Sequence, residues 1–141
     1  MADFAEALGA SKGASTLLVL FIPSRDRMDQ PIDQDYWVEE TLKALGVMFG
    51  GATAFPRGKG VWRDEAQGGK LLFDAPVVIQ CYTSEQAIES QAADLRLFLH
   101  RMGREARQGA IGLVIDRDYL EIDFPLDRPR SRPRSTGKKP R

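Results

Sequence analysis

His100 is the single histidine among 141 residues, so any imidazole chemistry has to run through it, and metal sites that need two or three imidazoles are excluded. At helical spacing it shares a face with Arg96, Arg104 and Arg107, with Arg101 beside it. Arg96, His100, Arg101, Arg104 and Arg107 therefore form a candidate anion-binding surface over roughly three turns. The plainer reading is a solvated helix end, where cations complement the negative end of the macrodipole. A second candidate is the segment Arg57-Gly58-Lys59-Gly60-Val61-Trp62-Arg63, in which Arg57, Lys59, Trp62 and Arg63 combine cations, flexible backbone and an aromatic face. Such a loop could cradle a phosphate or stack a base; the alternative is a strand with a bulge at its glycines. It is not a nucleotide P-loop, because Thr53 stands where the first glycine is required and Gly60 where the hydroxyl is required.

Four carboxylates, Asp116, Asp118, Glu121 and Asp123, raise a divalent-metal reading. Strand alternation argues against it, since Glu121 and Asp123 fall on the face opposite Leu120, Ile122 and Phe124, and Asp116 and Asp118 are ordinary turn residues. No metal site and no cofactor signature is assigned. Cys81 lies in an apolar run, where a thiol is a small buried hydrophobe whose pKa rises. The Arg25-Asp26-Arg27 loop is either a substrate-facing rim or a surface charge cluster. No catalytic group stands out to work beside His100.

The formal charge is zero, with 20 basic and 20 acidic residues, but Asp127 to Arg141 holds seven cations against one acid. The rest of the chain is correspondingly acidic. Arg128, Arg130, Arg132, Arg134, Lys138 and Lys139 could attract nucleic acid through its phosphates, or an acidic protein. One cysteine excludes a disulfide framework and fits a reducing compartment. The longest apolar run, Leu17 to Ile22, is six residues, against the roughly 20 that cross a bilayer. The expected location is the cytoplasm, with no membrane partner, in a protein of bacterial style.

These residues need elements to hold them. Thr16 to Pro23 is continuously apolar and predicts a central strand buried on both faces. Asp33 caps a helix to Phe49, with Val38, Leu42, Leu45 and Phe49 on its stripe, ended by Gly50-Gly51. Ala52 to Arg63 and Lys70 to Tyr82 read as an interrupted hairpin. Thr83 and Gln86 have the form of a capping box, opening a helix to about Arg107 along Ile88, Ala92, Leu95, Leu99, Met102 and Ala106. Ala110 to Asp116 and Tyr119 to Phe124 form a second hairpin around Arg117-Asp118. The expected fold is α+β and ferredoxin-like: a split β-α-β, in the order βαββαβ with one extra C-terminal strand, and both helices on one face of a mainly antiparallel sheet. The expected organisation is a flexible arm over 1–14, one domain over 15–125, and a disordered Arg/Pro/Ser tail over 126–141.

The stretch Gly50-Gly51-Ala52-Thr53-Ala54-Phe55-Pro56, with Gly60-Val61-Trp62-Arg63-Asp64 and His100-Arg101-Met102-Gly103-Arg104-Glu105, resembles small uncharacterised bacterial ferredoxin-like α/β proteins. The resemblance spans 16–124 and implies the fold, without an activity to carry over. The leading functional expectation is a non-catalytic binding or assembly module that forms a homodimer through its sheet. The alternatives are a nucleic-acid accessory protein that uses the basic tail, and a small enzyme acting on an anionic substrate with His100 and its neighbouring arginines.

Overall fold

The computed structural model describes residues 3–11 and 13–125. The six tail candidates, Arg128, Arg130, Arg132, Arg134, Lys138 and Lys139, lie outside the described residues, as does the expectation of a disordered tail. Within the N-terminal arm a short helix, α1 (Phe4–Leu8), forms where none was expected. The Asp3 carboxylate accepts from the Glu6 N–H, Gly9 closes it at φ 67°, and none of its residues is buried.

The all-apolar run becomes β1 (Thr16–Ile22), and it is central as its composition requires. Helix α2 (Gln34–Phe49) starts at Asp33, whose carboxylate accepts from the Tyr36 N–H, and stops at Gly50 in the left-handed region. Then come β2 (Thr53–Ala54), β3 (Gly60–Asp64), β4 (Lys70–Asp74), β5 (Val77–Thr83), α3 (Glu85–Glu105), β6 (Ala110–Ile115) and β7 (Asp118–Asp123). A five-stranded sheet runs in the order β2-β5-β1-β6-β7 with every pairing antiparallel, and β3 and β4 form a separate two-stranded ribbon. Without β7 this is the strand order of the ferredoxin-like plait, so the expected α+β fold and its extra C-terminal strand are both present.

Alternation places Leu18, Leu20, Ile22, Ile79, Cys81, Ile111 and Leu113 on one face of the sheet, where they meet Trp37 and Leu45 of α2 and Leu95, Leu99 and Met102 of α3. Each such side chain contributes roughly 1.5–3 kcal/mol by leaving water. Ala106 and the half-buried Ile122 and Phe124 extend the same core. Gly103 of α3 is required there, because a Cβ at that position would lie 2.0 Å from the Phe124 ring.

Four local expectations are corrected. The inner stripe of α2 is Trp37, Thr41 and Leu45, with Val38, Leu42 and Phe49 on its flank; the Thr41 hydroxyl is buried because it donates to the Trp37 carbonyl one turn back at 2.7 Å. Lys70 to Tyr82 is two strands. Pro76 has no N–H to offer a ladder, and the chain changes sheets at Ala75-Pro76. Helix α3 is capped by Ser84, which accepts from the Ala87 N–H at 3.1 Å, while Thr83 ends β5 as a buried residue. Its first half reaches past the core, so Ala92 is exposed. In the C-terminal hairpin the turn is Asp116-Arg117, one residue earlier than expected, with Asp116 at φ 57° and its carboxylate accepting from the Leu17 N–H at 2.9 Å.

Candidate functional site: a polar cleft and an open sheet face

Pro76 and Asp74 create the cleft. Asp74 Oδ1 accepts from the Ser24 N–H at 3.0 Å, from the Ala75 N–H at 2.8 Å and from the Ser24 hydroxyl, so the end of β4 is tied to the end of β1. The Gly58 N–H donates to the Pro76 carbonyl at 2.8 Å, which brings the 55–59 loop to the same place. Gln34, the first residue of α2, is almost fully buried between them. Its amide donates to the carbonyls of Ile22 at 3.0 Å and Ala75 at 2.9 Å, and its Oε1 accepts from Arg57 Nε. The result is a cleft of about 550 Å³ among Ser24, Arg25, Ile32, Arg57, Lys59 and Phe73, with Asp74 and Gln34 in its wall.

The structure divides the sequence-selected residues. Arg57 and Lys59 line the cleft, whereas Trp62 and Arg63 belong to the ribbon, and Arg63 pairs there with Glu65. Of the five helical candidates, Arg101 is committed internally. It pairs with Glu40 at 2.8 Å and Glu105 at 3.7 Å, and its guanidinium lies 5.0 Å from the Trp37 ring centre and 5.8 Å from that of Phe98. The hydrogen bond from Arg101, with that from Lys43, holds the Glu40 carboxyl below its ordinary pKa. Arg107 pairs with Asp26 at 2.8 Å. His100 is edge-on to Phe124, with ring centres 5.5 Å apart. Of these five, Arg96 and Arg104 alone are exposed cations without an ion pair among the described residues, so the candidate surface keeps two uncommitted cations rather than four.

The Arg25-Asp26-Arg27 loop resolves into an internal anchor. The Asp26 side chain is 2% exposed and accepts from the N–H groups of Met28 at 2.8 Å and Gln30 at 3.0 Å, and from Arg107. Burial pushes the Asp26 carboxyl up, but the hydrogen bonds from Gln30, Arg107 and Met28 outweigh it and hold the pKa below the ordinary value. Cys81 is buried and its thiol is pushed up by that burial. No group of three metal-ligating side chains comes together among the described residues, and no described helix is long and apolar enough to cross a membrane.

The sheet face away from the helices carries Leu17, Val19, Phe21, Val78 and Val114 by alternation and register; Val19 is buried and the other four are half-buried, while Tyr82 and Tyr119 at the margins are exposed. Tyr119 lies across Gly112, where a Cβ would meet its hydroxyl at 2.3 Å. Burial, then the nearby Glu121 and Asp123 charges, raise the Tyr119 phenol pKa. The ribbon carries exposed apolar side chains of its own, with Val61 opposite Phe73 on one face and, on the other, Trp62 opposite the half-buried Leu72. Ser24, Gln34 and Asp74 went unremarked at the sequence level. The one usable signal was Pro76, which cannot sit inside a central strand and so marks where the cleft opens.

The fold is therefore a ferredoxin-like plait with an inserted ribbon. A scan against protein-family models and a search of curated proteins find no match for the sequence. Among solved structures the chain is similar to a phage SAM lyase in complex with S-methyl-5'-thioadenosine, at 13% identity and a TM-score of 0.61, over 80% of this chain and 92% of that one. The same type of enzyme, phage SAM lyase in its apo state, matches at 15% identity with a TM-score of 0.59, over 83% and 95% of the two chains. The divalent ion tolerance protein CutA1 from Ehrlichia chaffeensis matches at 9% identity with a TM-score of 0.40, over 83% and 88%.

Proposed function

We propose that this protein works as a self-assembling module, the minimal unit being a homodimer, in which the open sheet face and the β3–β4 ribbon of one copy are covered by another. The observation that carries this reading is the ribbon. An isolated two-stranded hairpin is marginal in water, yet here Val61, Trp62, Leu71 and Phe73 are each more than half exposed. Exposed apolar surface of that kind marks a protein contact, and tryptophan is among the residues enriched at the centre of such contacts. Light scattering on the purified protein tests it. A mass of at least twice 15.7 kDa is expected, falling to one chain in Trp62→Ser/Phe73→Ser. A wild-type mass of one chain at micromolar concentration overturns the reading.

The non-catalytic half of the expectation has no support from the comparisons, since the neighbours with the higher TM-scores are enzymes. One observation favours a second reading, a small enzyme or binding protein for an adenosyl sulfonium compound: the similarity to SAM lyase extends over nearly all of that chain. His100 is not the residue to expect in such a role, because its ring packs on Phe124. Incubation with S-adenosylmethionine, followed by chromatography for S-methyl-5'-thioadenosine, decides it. Protein-dependent release supports the reading, and no release together with no saturable binding of either compound ends it.

A further inference from the structure

We propose that the cleft at the base of the ribbon binds a small organic phosphate, with Arg57 and Lys59 holding the phosphoryl group and the Phe73 side of the cavity receiving the organic part. The cleft shares Phe73 with the assembly surface, but its cations take no part in self-assembly or in any reaction on a sulfonium compound. The first ground is preorganisation. Gln34 is 3% exposed and anchored by two backbone carbonyls, and its remaining oxygen takes Arg57 Nε, so the guanidinium is held by its Nε while Arg57 lines the cavity. A held guanidinium loses less freedom on engaging an anion than one on a mobile chain.

The second ground is charge. Arg25, Arg57 and Lys59 line the cleft against one lining acid, Asp74, whose Oδ1 is already occupied by Ser24 and Ala75. The competing partner of Arg57 is Asp35 at 3.6 Å, a carboxylate 90% exposed and thus screened by water. Arg25 leans on Asp29 through a 2.9 Å bond to its carbonyl and a 3.8 Å ion pair. Lys59 has no hydrogen-bonding or ionic partner among the described residues. Among the lining residues themselves, three cations against one carboxylate, the excess suits a phosphate monoester, which carries close to two negative charges at neutral pH, better than a carboxylate with one. The third ground is size and surface. About 550 Å³ exceeds what a bare phosphate fills and is typical of a small-molecule cleft, and Ile32, Pro31 and Phe73 supply an apolar wall.

Calorimetry on the full-length protein at low salt tests the assignment, with phenyl phosphate as probe and inorganic phosphate and benzoate as comparisons. Phenyl phosphate is expected to bind saturably at one site per chain, at least about tenfold more tightly than either comparison, a difference of about 1.4 kcal/mol. Arg57→Gln/Lys59→Gln is expected to weaken it by at least about tenfold, whereas Arg96→Gln/Arg104→Gln, which removes two exposed cations elsewhere, leaves it unchanged. Lys59→Gln alone touches no structural contact and is expected to weaken binding several-fold with an unaltered melting temperature. The proposal is overturned by any of three results: no saturable heat with phenyl phosphate, equal affinity in Arg57→Gln/Lys59→Gln, or benzoate binding as tightly as phenyl phosphate.

Discussion

Asp26 is an anion inside the fold, and its pairing with Arg107 explains a departure from ordinary backbone behaviour. Arg107 stands in the left-handed region at φ 53°, where glycine is the usual residue, and closes α3 with its N–H donating to the Arg104 carbonyl and the Gln108 N–H to that of Gly103. A side chain there costs roughly 1 kcal/mol. An arginine is placed where a glycine would be easier because its guanidinium reaches Asp26, while its carbonyl accepts from the Arg27 N–H at 2.9 Å. Since the folded pKa of Asp26 lies below its ordinary 3.8, its contribution is fully present above that value and is lost as pH falls through the lower, folded one. Asp26→Asn is expected to lower stability at neutral pH by roughly 1–3 kcal/mol. The gap between wild type and variant should narrow on acidification below about pH 4, and urea unfolding across pH 3–7 measures both effects. The residue types in this loop were visible in the sequence, but their roles were not, because a charge cluster looks the same whether it faces water or a buried partner.

At the scale of elements, periodicity located β1, α2, α3 and the C-terminal hairpin, and it failed where one residue decides between two outcomes. Thr83 and Ser84 can both cap a helix; register decides, since Thr83 faces Thr16 across the β1–β5 ladder and is buried there. Val38 and Trp37 are both plausible inner positions of α2, and the larger ring takes the deeper one. The apolar continuity of Lys70 to Tyr82 concealed a change of sheet, for which Pro76 was the local signal. Because that change is tied by Asp74 to Ser24, Asp74→Ala is expected to loosen the base of the ribbon. Hydrogen exchange should then speed up over 60–64 and 70–74 while the amides of β1 and β6 stay protected, with a loss of about 1–2 kcal/mol overall. Protection that falls equally across the main sheet would show that ribbon and sheet open as one unit.

For the molecule as a whole, the ferredoxin-like order explains why one face of the sheet is closed by two helices and the other is left for something else. Composition could announce an α+β chain with a free sheet face. It could not announce the cleft, since Ser24, Gln34, Arg57 and Asp74 come together only through the crossing of three chain segments. If copies cover one another's open faces, unfolding is coupled to dissociation and the melting temperature rises with protein concentration. Calorimetric scans over about a hundredfold range of concentration are expected to show an upward shift of several degrees in the wild type, and none in Trp62→Ser/Phe73→Ser.

The pairing of Gly60 with Asp74 means that the ribbon leaves and rejoins the chain at neighbouring points, roughly 5 Å apart. In terms of architecture it is a removable part: residues 61–73 can be replaced by a two-residue Asn-Gly turn without stretching the connection from β2 to β5. Asp74, Ala75 and Pro76 stay in place, and with them the ties to Ser24 and Gly58. The shortened chain is expected to keep the five-stranded sheet and the two covering helices, with a near-native circular dichroism spectrum and cooperative melting, and to be monomeric if the ribbon is the assembly surface. A shortened chain that still folds would show that the core is complete without the ribbon, and that the ribbon is free to serve another purpose.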